Sequence, residues 1–104
     1  MEQIAFKMQL KAGNVAKYKQ RHDAIWPELV ALLHDVGVSD YSIFLDETNN
    51  ALFAFLRRSD DHRMEGLSQH PVMQRWWTSM ADMMETDAHL APLTMPLLPM
   101  FHLD

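Results

Sequence analysis

The chain has 104 residues, a net charge of -5 and no cysteine. That length suffices for one domain, spanning residues 1–104, with a core that needs no covalent staples. Lack of cysteine excludes disulfides and thiolate metal sites, and an acidic balance without clustered Lys and Arg speaks against nucleic-acid binding. The sequence starts directly on a strand-like alternation, leaving no room for a signal peptide, and no apolar run approaches bilayer-spanning length. A cytoplasmic protein with no membrane partner is the expectation. Most of the nine methionines lie from Met64 onward, where they read as fillers of core gaps.

Residues 3–10 alternate strictly, with Ile4, Phe6, Met8 and Leu10 on one face of a strand. Gly13-Asn14 offers a turn and an N-cap for a helix from Val15 to His22. Pro27 suits a first turn but not a helix interior, which places a break at Asp23–Trp26. Leu29, Leu32, Leu33 and Val36 follow at helical spacing, and Gly37 closes that helix as a C-cap. Tyr41–Leu45 and Ala51–Leu56 form two strands joined by a hairpin loop over 46–50. Ser59-Asp60-Asp61 reads as the cap of a short helix running to about Leu67. Pro71 opens a longer helix carrying Trp76, Trp77, Met80 and Met84. Residues 86–96 look irregular, and 97–103 read as a Pro-interrupted last strand, at an edge or exchanged with a partner.

The order β-α-β-β-α-β is the ferredoxin-like split βαβ pattern of an α+β fold. Such a sheet carries helices on one face only. Yet residues 51–56 are apolar on both parities, with Phe53 and Phe55 on one side and Leu52 and Leu56 on the other. A strand apolar on both sides is covered on both sides. With no chain left to cover the second face, a face-to-face homodimer is expected: an α+β barrel of two sheets.

The run Tyr18 to Leu29 concentrates chemistry. Tyr18 and His22 are four apart and share one helix face, which mounts a group titrating near neutrality beside a hydrogen-bonding aromatic. A solvated histidine paired with Asp23 is the alternative reading. Arg21 and Asp23 would tune His22 in opposite directions. Trp26 either closes the end of a pocket or anchors the kink. Trp76 and Trp77, about a hundred degrees apart on a helix, let one indole enter the core while the other lines a cleft edge. Tyr41 either points its hydroxyl into that cleft or is structural. A metal site is not expected: the six histidines show no His-x-His or His-Glu-x-x-His spacing. Neither a phosphate loop nor a Gly-x-Ser-x-Gly elbow occurs. Cofactor-free acid–base chemistry or simple binding is what remains.

Tyr18…Arg21-His22-Asp23…Ile25-Trp26-Pro27-Glu28-Leu29, Tyr41-Ser42-Ile43, Gln74-Arg75-Trp76-Trp77 and the terminal Phe101-His102-Leu103 closely resemble the L-rhamnose mutarotase family, over nearly the whole chain. The resemblance implies a cytoplasmic dimeric α+β barrel. It also implies cofactor-free interconversion of the α and β anomers of L-rhamnose, serving rhamnose catabolism. Carried over by position, it makes His22 the proton donor and Tyr18, Tyr41, Trp76 and Trp77 sugar-binding residues. Two departures stand out. Gln20 occupies a position where Arg is common in the family, and residues 86–92 replace its Asn-Pro-Asp-rich stretch.

Mutarotation needs two proton movements, one off the anomeric hydroxyl and one onto the ring oxygen. A positioned imidazole contributes roughly 10²–10⁴-fold to such transfers. The second proton carrier stays open between a water and a carboxylate, because tyrosine is a poor base. Competing readings are a mutarotase for L-fucose or another 6-deoxyhexose, a cofactor-independent monooxygenase on a similar dimeric barrel, and a non-enzymatic sugar-binding dimer.

Overall fold

A computed structural model describes all of residues 1–104. Strand β1 (Glu2–Gln9) leads through helices α1 (Val15–Asp23) and α2 (Pro27–Asp35) to the hairpin β2 (Val38–Asp46) and β3 (Ala51–Arg58). A 3-10 segment (Met64–Gln69), helix α3 (Pro71–Met80) and a 3-10 turn (Ala81–Met83) then lead to β4 (Met95–Leu97). All neighbours in the sheet are antiparallel, in the order β2-β3-β1-β4. That is the split βαβ topology expected from the element order.

Register explains the two apolar parities. Ile4, Phe6 and Met8 face Leu56, Ala54 and Leu52 across the β1–β3 ladder, while Ile43 and Leu45 face Ala54 and Leu52 from β2. These side chains meet the helices and join Leu10, Tyr18, Leu29, Val36, Trp76, Met80 and Met83 in one core. The opposite parity, with Phe44 beside Phe53 and Ser42 beside Phe55, lies on the uncovered face. There Phe44 and Phe55 are 63 % and 44 % exposed, and their rings pack edge to face at 5.9 Å.

The helix break falls where Pro27 dictates. Trp26 takes an extended conformation as the α2 N-cap residue, with Pro27 in the first turn. Gly37 follows α2 at φ +98, and its N–H donates to the His34 carbonyl at 3.0 Å.

Several boundaries differ from expectation. The last strand is three residues, Met95–Leu97, rather than 97–103. Pro96 pairs with Phe6 inside the strand, Pro99 just beyond it has no N–H to extend the ladder, and the tail that follows is exposed, Phe101 by 84 %. Strand β2 starts at Val38, before Tyr41. Helix α3 ends at Met80, and Met84 instead bridges to Leu10 as the chain swings back to the sheet. Asn14 stands at the α1 N-cap without a side-chain cap bond, because its Nδ2 donates backward to the carbonyls of Lys11 and Ala12. Ser59-Asp60-Asp61 caps nothing. The Ser59 N–H donates to the Gly37 carbonyl, the 3-10 segment begins only after Arg63, and His62 Nδ1 accepts from the Met64 N–H.

Candidate active site

A cavity of about 740 Å³ opens between the helix-covered face of the sheet and the helices, lined mainly by apolar side chains. That volume lies within the roughly 300–1,000 Å³ of small-molecule sites. Tyr18 and His22 enter it from α1, Tyr41 from β2, and Trp76 and Trp77 from α3. All five residues singled out by the sequence therefore converge on one cleft.

Helical spacing places Tyr18 beneath His22, with ring centroids 4.3 Å apart. Tyr18 is 8 % exposed. On its other side the imidazole meets Trp76 edge-on, at 5.4 Å and 85°. His22 Nδ1 lies 3.1 Å from the Tyr18 carbonyl oxygen. With the proton on Nδ1, the imidazole donates that bond, and Nε2 keeps a free lone pair with no hydrogen-bond partner in the protein. Burial pulls the His22 pKa below its ordinary 6.5, outweighing the Tyr18 carbonyl and Asp23, which push it up. The resting imidazole at neutral pH is therefore uncharged. Asp23 does not pair with His22; its carboxylate takes the Lys19 ammonium at 3.0 Å. Of these two flanking charges only Asp23 acts on the His22 pKa; the Arg21 guanidinium donates to the Ser79 carbonyl at 2.8 Å.

Tyr41 reaches the cleft through a bulge that the sequence does not announce. Ser39 pairs with Arg57 and Ser42 with Phe55, so Asp40 and Tyr41 together oppose the single residue Leu56. Asp40 absorbs the extra residue at φ 50. Val38 points into the core before the bulge, and Tyr41, Ile43 and Leu45 share that side after it, which strict alternation from Val38 forbids. The Tyr41 ring then packs edge-on against Phe6 at 6.4 Å. Although 39 % of the residue is accessible, its hydroxyl end is desolvated, which pushes the phenol up to about 12. Burial raises Tyr18 further still, and the Tyr41 hydroxyl adds to that in the same direction. Both phenols stay protonated hydrogen-bond donors across the neutral range.

Trp76 is 7 % exposed and joins the core, whereas Trp77 is half-buried, as their angular offset on α3 requires. Trp26 does not line the cavity; it packs on the core at the kink, its indole edge-on to Trp76 at 5.2 Å. Pro92 and Thr94 do line the cavity. The loop before them is closed by a Thr86–Pro92 bridge and by Asp87, whose Oδ1 accepts from the His89 and Ala91 N–H groups. Sequence reasoning missed Phe6, Thr94 and the bulge; Phe6 carries no signal beyond its core parity. No three His, Asp or Glu side chains cluster as a metal site would require.

A family model described as L-rhamnose mutarotase matches residues 3–103. A protein of Rhizobium meliloti (strain 1021) named L-rhamnose mutarotase is 61 % identical over 103 residues, covering 99 % of both chains. One of the same name from Jannaschia sp. (strain CCS1) is 59 % identical, again over 99 % of both. The crystal structure of an L-rhamnose mutarotase from Formosa agariphila matches this fold with a TM-score of 0.93 at 44 % identity, covering all of both chains. Agreement of this extent in sequence and in fold leaves one conclusion: the chain belongs to the L-rhamnose mutarotase family.

Proposed function

We propose that this protein is a mutarotase interconverting the α and β anomers of L-rhamnose, with His22 as the proton-transferring group. The observation that carries the reading is the imidazole itself. It is desolvated against Trp76, held at Nδ1 by the Tyr18 carbonyl, and free at Nε2 in a cleft that the protonated phenols of Tyr18 and Tyr41 also line. Tyr18 and Tyr41 hydrogen-bond the sugar, Trp76 and Trp77 bear on its C–H face, and the apolar lining suits the methyl group of a 6-deoxyhexose.

A single imidazole meets the proton requirement. Neutral His22 takes the anomeric hydroxyl proton at Nε2 as the bond from C1 to the ring oxygen breaks and C1=O forms. The resulting imidazolium is the proton donor that protonates the released ring oxygen, while a phenol donates to that oxygen as its charge develops. Rotation at C1 and the reverse sequence yield the other anomer. Both oxygens are bonded to C1, so one Nε2 serves both. The nearby carboxylates are otherwise engaged, Asp23 by Lys19 and Asp40 by Arg57.

The uncovered sheet face, with Phe44 and Phe55 at its surface, supports a face-to-face homodimer of one-domain protomers. No helix is long and apolar enough to cross a membrane. The reading assigns a cytoplasmic role in rhamnose catabolism.

Saturation-transfer NMR on the anomeric protons of L-rhamnose tests the activity, and the same measurement on L-fucose tests the sugar. Enhanced exchange is expected with L-rhamnose and its loss in His22→Ala. A variant exchanging anomers as fast as the intact protein removes His22 from the mechanism, and faster exchange of L-fucose reassigns the substrate.

A further inference from the structure

The run Arg21-His22-x-x-x-Trp26 contains two residues that the site does not absorb. Neither Arg21 nor Trp26 lines the cavity, yet both end on α3, the helix that supplies Trp76. Arg21 crosses to the last turn of α3, where its Nη1 donates to the Ser79 carbonyl at 2.8 Å, with the side chain half-buried. Trp26 sits past the end of α1, and its ring stands at 84° to the Trp76 indole. His22 stands at 85° to the same indole. The imidazole and the Trp26 ring therefore share one support, and Arg21 ties the helix bearing the imidazole to the helix bearing that support.

This arrangement matters because α1 has little else to hold it. It is a nine-residue helix whose one buried residue is Tyr18. Besides the His22–Trp76 contact, its other side-chain tie to the far side of the cleft is the exposed pair Lys17–Asp82 at 3.0 Å, of a type that contributes little. The Arg21 bond is half-buried, charged and directed at a carbonyl, a stronger kind of tie.

We propose that Arg21 and Trp26 are positioning residues that clamp α1 to α3 and so hold His22 edge-on to Trp76 at the reacting position. This rests on His22 being the catalytic group. Neither residue touches sugar; they act through the placement and desolvation of the imidazole.

The test uses Arg21→Met, which keeps the stem and removes the donors, Arg21→Lys as the conservative rescue, and Trp26→Phe. Anomer exchange and the NMR titration of the His22 ring protons are measured on each folded protein. Arg21→Met and Trp26→Phe are each expected to lower kcat about tenfold with little change in KM, since small misplacements act on the chemical step. The His22 midpoint should rise toward 6.5 as water reaches the ring. Arg21→Lys should recover part of both. Folded variants with an unchanged His22 midpoint and unchanged kcat overturn the clamp, as does a fall in thermal stability alone. If Arg21→Met does not fold, Arg21→Lys and Trp26→Phe decide by the same readings. An intact protein without anomer exchange sinks the proposed function instead, and the His22 titration still decides the clamp.

Discussion

His22 Nδ1 and the Tyr18 carbonyl oxygen, one turn apart on α1, lie 3.1 Å from each other. The bond fixes the tautomer, so the nitrogen left for chemistry is Nε2. Burial fixes the charge, because it pulls the pKa below 6.5.

The pH dependence follows from that pair. With neutral His22 as the proposed base, kcat/KM should be level through neutrality and fall on the acid side with a midpoint below 6.5. No alkaline limb is expected below about pH 10, since Tyr41 is held near 12 and Tyr18 is raised as well. Stability has the same sign. With the folded pKa below the unfolded one, the unfolded chain binds the proton first, so stability declines as pH falls from 6.5 through the folded value. Exchange rates and urea midpoints measured across pH should show both trends, and His22→Asn should flatten the second. An acid limb centred above 7 would contradict the desolvated imidazole.

Trp76 and Trp77 should separate in kind. Trp76→Ala empties a core position and is expected to cost about 3–5 kcal/mol of stability. Trp77→Ala, half-buried at the cleft, should stay folded and raise KM about tenfold, equivalent to ~1.4 kcal/mol of lost sugar binding. Denaturant unfolding and exchange kinetics read the two effects. An unchanged KM in Trp77→Ala removes that indole from the sugar site.

Gly37 cannot be replaced cheaply. It sits at φ +98, and a Cβ there would collide with Ser59 Oγ and lie 3.1 Å from His62 Cα. Gly37→Ala is expected to lose about 2 kcal/mol or more and roughly 10 °C in Tm. Adding Ser59→Ala should recover only part, because the backbone strain remains. Calorimetry of the two variants decides, and full recovery in the double variant would show that the clash alone mattered.

Phe44 and Phe55 test the dimer. They pack edge to face at 5.9 Å on the open face of the sheet. Introducing Phe44→Glu with Phe55→Glu should place charges where two sheets would meet and shift sedimentation from dimer to monomer. An intact protein that sediments as a monomer refutes the assignment.

Much of this was legible in local pattern. The alternation of Ile4, Phe6, Met8 and Leu10, the break before Pro27, the turn at Gly37 and the start of α3 at Pro71 each follow from a side chain's own preference or a missing N–H. Less legible were the features where one residue's conformation depends on a distant partner. Arg21 looked like a neighbour that would tune His22, but it is spent on a carbonyl of α3. Ser59-Asp60-Asp61 looked like a cap, but the 3-10 segment starts only after Arg63, where His62 Nδ1 accepts the Met64 N–H.

By itself, the sequence determined that Tyr18 and His22 share a helix face, that Trp76 and Trp77 diverge, and that the hairpin strand has two apolar sides. Each of these depends only on the period of a helix or a strand. Tertiary structure alone decided that Tyr41 turns into the cleft, because the bulge at Asp40 resets which face β2 presents. It also decided that Trp26 stands behind Trp76 rather than in the cavity, and that the last strand ends at Leu97. A bulge, a packing partner and a ladder's end are set by which segments meet. No local period records that.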